Sequence, residues 1–510
     1  MKLFGARRWW AMAAMTLGVL AVGLDAMIVS VAMPTLAGVF HASETELQWF
    51  SASYALALAA AMLPSGLLGD RYGHKRVLVA AMALFGLGSV ACALAPTSTV
   101  FIAARVVLGV SGAAMIVMVL SIITVLFSET ERPRAVGVWA AANFLALPLG
   151  PILGGWMITN LWWGWAFLIN VPVALLGLIA VVLFVPEARP SAKRGFDLPG
   201  LLSSGSGLVL LTYGLIEAGQ RGWTDAGAVV PMLVGIGLLG AFLLIERRTQ
   251  RPLVDLSLFD SPGFLWGTTL AALAMMAMIG ILFTMPQYFQ AILGMDAQGS
   301  GLRLVPLILG LVAGAVSADR IVARIGTNLT VALGFALVAS AALVGSRTGV
   351  ASTDAFIGGW MTLTGIGMGL TISTTGSAAL ATLDAERAGM GSSVMQAIQK
   401  LGAPFGAAIL GSVLNSAYQS HLDLTAAPAD AAAVVQSSVF AGVAVARQLG
   451  SSELLASVQG AFVNGMGAAF LFSAGISLVG MVLSIVLLPR RAGATTSEGA
   501  ESMPMAITQD

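Results

Sequence analysis

The chain has 510 residues, 58% hydrophobic and only 10% charged. A soluble domain is about 45–50% apolar and about 25% charged, and disorder needs low hydrophobicity with high net charge, so this composition excludes both. Lys and Arg number 25 against 24 Asp and Glu, a net +1 with no field to recruit nucleic acid, while one cysteine (Cys92) and three scattered histidines (His41, His74, His421) exclude a disulfide framework and offer no metal cluster.

A membrane-crossing helix needs about 20 mostly apolar residues. Windows of that length predict fourteen spans, at 11–34, 47–69, 77–96, 99–127, 135–159, 164–186, 198–218, 226–245, 262–285, 302–318, 327–346, 355–380, 390–418 and 461–489. The first apolar stretch is longer than a signal-peptide core and Asp25 interrupts it, so it reads as a retained helix. An inner N-terminus places only Arg221, Arg303, Arg347 and Arg447 on the outer side, with Arg105 and Lys400 inside spans and every other basic residue on the inner side. That bias predicts cytoplasmic N- and C-termini in a multi-pass protein of the cell membrane.

Charged stretches at 187–197 (EARPSAKRGFD) and 246–251 (ERRTQR) divide the spans six, two and six. The expected domains are therefore a bundle over 1–186, a linker with two extra spans over 187–261, a second bundle over 262–489 and a cytoplasmic tail over 490–510. The longest outer segment, 419–460, has apolar spacing for short amphipathic helices that either cap the opening or merely connect. An internal repeat fits this division. Gly69-Asp70-Arg71-Tyr72-Gly73 follows the second span, and Asp319-Arg320 with Arg324-Ile325-Gly326 follows the second span of the last six.

Ionisable groups at membrane depth are expensive and mark function. Asp25 is the one acid well inside the first six spans, either a group that takes up and releases protons or a static partner for a buried base. Arg105 enters the fourth span from the opposite side, and at 1.5 Å per residue the two lie within about 5 Å of the same depth. Lys400, after Gln396 and Gln399, sits midway along the thirteenth span, to face a cavity or pair with an acid. Glu217 reads as solvated at the outer end of the seventh span.

The fifth span carries Pro148, Gly150, Pro151, Gly154 and Gly155. Prolines bend a helix and glycines admit a close neighbour, so this stretch suits a crossing between parts that rock. Tyr54, Met118, Trp139, Asn143, Phe283, Gln287 and Tyr288, with Gln396 and Lys400, offer polar, aromatic or thioether surface for a bulky apolar ligand, or else ordinary packing. No G-x-x-x-x-G-K-[ST] loop is present to cradle ATP phosphates.

These residues resemble the major facilitator superfamily, specifically its 14-spanner drug:proton antiporters, over about residues 10–490. Gly66-Leu67-Leu68-Gly69-Asp70-Arg71-Tyr72-Gly73-His74-Lys75-Arg76 is similar to the superfamily's inner-loop motif. The resemblance implies a gating role for Gly66, Asp70, Arg71, Gly73 and Arg76, and by the repeat for Asp319 and Arg320. Leu24-Asp25 through Pro34, and Trp165 through Pro172, resemble 14-spanner signatures; Gly150 through Gly155 resembles the antiporter motif. Arg105 and Gly109 match a motif implicated in proton coupling, although Leu108 and Ser111 replace its usual Gln and Gly. Leu311 follows Gly310 where some relatives carry an acid.

The resemblance implies an all-α membrane fold of two six-helix bundles plus two extra transmembrane helices. It implies a proton-coupled exporter of lipophilic, even cationic, small molecules, working as a monomer by alternating access. Its partners would be substrate, protons and the lipid bilayer, with no cofactor beyond the proton gradient, no metal, no nucleic acid and no enzymatic chemistry. An uptake symporter or facilitator on the same fold, or an exporter of an endogenous metabolite or lipid, is the alternative.

Overall fold

The computed structural model describes residues 2–127, 131–185, 198–249, 254–381, 383, 385–428 and 431–490. Every regular element among them is helical. The first part comprises α1 (Lys2–Phe40), α2 (Glu44–Tyr72), α3 (His74–Ala93), α4 (Ser98–Leu126), α5 (Arg132–Asn160), α6 (Trp165–Leu168) and α7 (Asn170–Phe184). A hairpin of α8 (Leu198–Arg221) and α9 (Ala226–Arg248) follows. The last part comprises α10 (Pro262–Gln287), α11 (Ala297–Arg303), α12 (Val305–Ile325), α13 (Thr327–Gly345), α14 (Asp354–Leu380), α15 (Ala385–His421), α16 (Ala432–Ser437), α17 (Val439–Leu449) and α18 (Ser452–Leu487).

Twelve helices among the described residues are long and apolar enough to cross a membrane, and they coincide with twelve of the fourteen expected spans. The two expected spans outside that set are α2 and α5, the second and fifth. Both helices contain side chains outside the described residues. The expected span 164–186 is interrupted at Ile169, between α6 and α7. The segment 419–460 supplies α16, α17 and the first two turns of α18. The tail from 491 lies outside the described residues.

The two parts repeat one packing scheme. In the first, α2 packs on α4, α1 on α5, α3 on α4 and α7, and α1 on α7. In the last, α12 packs on α14, α10 on α15, α13 on α14 and α18, and α10 on α18. These are the same pairs when each half is numbered from one to six, as an internal duplication requires. Each half has its own apolar core. One holds Met15, Phe85, Phe101, Met115 and Phe167, and the other Leu270, Tyr288, Phe335, Trp360 and Phe462. Glycines set the tightest crossings: a Cβ on Gly310 or Gly314 of α12 would collide with the backbone of Thr362 or Ile366 in α14.

The turn after the second helix repeats as well. Gly73 (φ 98°) ends α2 and begins α3, its N–H donating to Gly69 O; Gly326 (φ 88°) ends α12 and begins α13, its N–H donating to Val322 O. The structural match is thus Arg71-Tyr72-Gly73 with Arg324-Ile325-Gly326, and Asp319-Arg320 lies one turn earlier, exposed on α12. Only glycine adopts this φ without strain. Gly73→Val and Gly326→Val are each expected to cost about 1–3 kcal/mol, seen as earlier thermal unfolding in detergent, whereas Gly38→Ala, facing open space, does not lower it.

We call the end that holds Lys2 and the α2–α3 turn the base, and the opposite end, with the α1–α2 turn and α17, the crown. The halves meet at the crown. There α2 packs on α15 and α5 on α11, so the second and fifth helices exchange partners between halves. Phe283 and Ala397 of the last part join the first core, and Val31 of α1 joins the second. The α8–α9 hairpin leans on this seam from outside, where the Ser412 hydroxyl and Asn415 Nδ2 of α15 donate to Leu215 O (2.6 Å) and Gly219 O (3.0 Å).

Candidate functional site: a buried charge pair and a glycine-lined seam

Asp25 lies midway along α1 and Arg105 two turns into α4, which cross so that the two side chains meet as an ion pair. Both are sealed, at 0% and 1% exposure. Gly109, one turn from Arg105, lets the helices close up, since a Cβ there would strike the α2 backbone at Tyr54 O. The guanidinium is held on three sides: its Nε donates to Phe50 O at 3.1 Å, it lies 4.2 Å over the Tyr54 ring, and it faces Asp25. The second Asp25 oxygen accepts from Asn170 Nδ2 at 3.1 Å, and Tyr54 donates its hydroxyl to Val22 O at 2.9 Å. A buried charge survives only if paired and hydrogen-bonded, and each group here is both. The arrangement stores one ionisable carboxyl at membrane depth, held by a fixed cation and a neutral amide. With both groups sealed, exchanging a proton with either face requires the helices to move.

Asn170 was not among the residues expected at this site. It lies within the 165–172 stretch that resembles a 14-spanner signature, but nothing in the sequence ties that amide to Asp25.

The glycines of the fifth expected span sit where the halves meet. A Cβ on Gly150 would strike Met27 of α1, and one on Gly154 would come within 2.9 Å of Ile28. On the other face of α5, a Cβ on Gly155 would come within 2.5 Å of Ala297 O, and Gly301 of α11 lies against Pro151 O. That stretch is therefore packed between α1 of its own half and α11 of the other. The Pro148 side chain lies outside the described residues.

At the base, Gly66 is half-buried near Val117, and Arg71 and Arg76 are exposed, Arg71 over the Tyr72 ring at 5.5 Å. Lys75 Nζ donates to Val182 O of α7 at 2.8 Å. The Asp70 side chain lies outside the described residues, as does that of Asn143. Arg8 pairs with Glu131 at 2.5 Å, tying the start of α1 to the start of α5.

Of the residues read as cavity-lining, five lie in closed packing. Tyr54 belongs to the charge-pair network. Met118 is buried against Gly69, Phe283 in the first core, and Tyr288 in the second, with its hydroxyl donated to Gly349 O at 2.7 Å. Gln287 is buried at the crown seam, its Nε2 donating to Glu44 Oε1 at 3.4 Å. Trp139, Gln396 and Lys400 remain partly exposed; Gln396 Nε2 donates to Ser392 at 3.4 Å. Lys400 is three turns toward the base from Gly411, on the same face of α15 that meets α2 at the crown. Glu217, expected to be solvated, pairs with Arg221 one turn on at 2.7 Å. In the crown loop the Thr425 N–H and hydroxyl both donate to Asp423 and hold its carboxyl below the usual range.

A duplicated set of membrane-crossing helices, a buried charge pair in one half and a glycine-lined seam between halves define a multi-pass membrane transport fold rather than an enzyme site. The Major Facilitator Superfamily profile matches residues 15–407, and the chain belongs to that superfamily. It is 30% identical over 500 residues to a tetracenomycin C resistance and export protein of Streptomyces glaucescens, covering 95% of this chain and 92% of the relative. It is 31% identical over 490 residues to the methyl viologen resistance protein SmvA of Salmonella typhimurium, covering 94% and 97%. Among solved structures, a bacterial homologue of the human lysosomal transporter Spinster in an inward-facing, unoccupied conformation matches at TM-score 0.67 and 15% identity, covering 94% of this chain and 97% of that one.

Proposed function

We propose that the protein is a proton-coupled exporter of lipophilic small molecules, lipophilic cations among them, working by alternating access. The observation that carries this is the sealed Asp25–Arg105–Asn170 network, an ionisable carboxyl at membrane depth that only a change of state can connect to water. Relatives named for tetracenomycin C export and methyl viologen resistance support the direction and the substrate class. In this reading α2 and α5 also cross, giving fourteen spans, with bundles over 1–186 and 262–489, two extra spans within 187–261 and a short tail over 490–510. The base faces the cytoplasm with both termini, and the crown faces outward, as the basic bias suggests.

With the crown closed at the α2–α15 and α5–α11 crossings, access in this reading is from the base. Substrate enters there, beside Trp139, Gln396 and Lys400, as Asp25 gives up its proton. The halves then rock about the α1–α5–α11 crossing, and Asp25 takes up a proton from outside. Asp70, Arg71 and Arg76, with Asp319 and Arg320, latch the base in the opposite state. The proton gradient is the only energy source required, a membrane potential adding about 2.3 kcal/mol per charge per 100 mV. The protein works as a monomer. Accumulation of a fluorescent lipophilic cation in inside-out vesicles tests the reading: it is expected to need a proton gradient and to collapse with a protonophore. Gradient-independent equilibration would mark a facilitator instead.

A further inference from the structure

We propose that Glu44 is a second proton site of the transport cycle: the crown seam closes on the protonated carboxyl and parts as the carboxylate forms. Glu44 opens α2, ahead of the predicted span 47–69, yet is only 2% exposed because α10 and α15 of the other half cover it. From α10 it meets Gln287; from α15 the titratable group facing it is Tyr418, whose hydroxyl is already donated to Val435 O at 2.8 Å. On its own helix Glu46 turns away, accepting from Ser43 and from Ser98 of α4. Among the described residues no Lys, Arg or His pairs with Glu44. An ionised carboxyl buried without a cation is not sustained.

The surroundings instead lack a donor. Oε1 of Gln287 and Oε1 of Gln48, one turn along α2, are both buried with no hydrogen-bond partner. A protonated Glu44 supplies an O–H to one of them once the Gln287 amide turns over; a carboxylate supplies nothing. Gln48 also packs on Gly411, where a Cβ would come within 2.9 Å of its side chain, so α2 and α15 lie close together beside Glu44. When α2 parts from α10 and α15, water reaches Glu44 and solvates the carboxylate. The closed seam therefore holds one more proton than the open one, at the end of the molecule opposite to the base.

The inference rests on the exporter reading only for the direction in which that proton moves. Its test uses neither substrate nor gradient, so its failure is distinct from failure of vesicle accumulation. Spin labels on cysteines at His41 and Ser420, both exposed at the crown on opposite halves, report the seam by pulsed dipolar distance in lipid nanodiscs. The background carries Cys92→Ala and His421→Gln, which with the label at 41 removes the crown histidines. In the wild type the short-distance population is expected to fall as pH rises. Glu44→Gln is expected to stay closed across the whole range, Glu44→Asp to keep the step with a displaced midpoint, and Glu453→Gln, an exposed acid at the start of α18, to keep it unchanged. A pH-independent wild-type distance, an undiminished step in Glu44→Gln, or loss of the step in Glu453→Gln would overturn the assignment.

Discussion

Arg105→Ala is expected to lose about 3–5 kcal/mol of stability, because it leaves the Asp25 carboxylate buried without its cation. The loss is read by equilibrium unfolding in mixed detergent micelles. Removing both charges, as in Asp25→Asn with Arg105→Ala, is expected to recover part of it, since no lone charge remains and only the packing of the guanidinium on Tyr54 and its bond to Phe50 O are missing. Asp25→Asn alone leaves the Arg105 guanidinium buried without its carboxylate and is expected to cost stability by the same argument, offset in part by the bond to Phe50 O and the seat over the Tyr54 ring. What it cannot do is titrate. A double variant no more stable than Arg105→Ala would mean that the pair is not coupled.

Gly155→Leu is expected to reduce export to background with folding intact. The Cβ position is already within 2.5 Å of Ala297 O, and a leucine adds three carbons where α5 crosses α11. Neither side of that contact is a flexible side-chain end, so the crossing must part. Because the crossing lies at the crown, the substitution biases the molecule against the closed-crown state rather than unfolding a bundle. Gly240→Leu on α9 adds the same bulk where nothing lies within 4 Å and is expected to transport normally. Normal transport by Gly155→Leu would show that the crossing does not have to close.

The charge pair was legible because helix geometry fixes depth: Asp25 and Arg105, counted from opposite ends of antiparallel spans, land in one layer. The repeat was legible as Arg-x-Gly after each second helix, although its structural alignment rests on Gly73 and Gly326 rather than on Asp70 and Asp319. Asn170 carried little signal, since one amide at the head of an apolar helix is indistinguishable from a cap until its partner is known. Glu44 was hidden for another reason. Ser43 and Glu46 form a capping box, so the whole turn reads as a solvated helix start, and only the arrival of α10 and α15 buries one of its two acids. Tyr54, Tyr288 and Gln287 suited a pocket by composition, but tertiary neighbours decide whether a polar tip meets ligand or protein, and each of these meets protein. The span count is matched among the described residues at every expected span but α2 and α5, helices that line the seam and contain residues outside that description.

The central claim, that Asp25 couples substrate movement to protons, is tested most directly with purified protein in sealed liposomes containing a pH-sensitive dye. Under an imposed proton gradient, addition of a lipophilic cation or a neutral aromatic drug is expected to evoke proton movement in the wild type and none in folded Asp25→Asn. Equal proton movement in the two proteins would contradict the account and move the coupling carboxyl elsewhere.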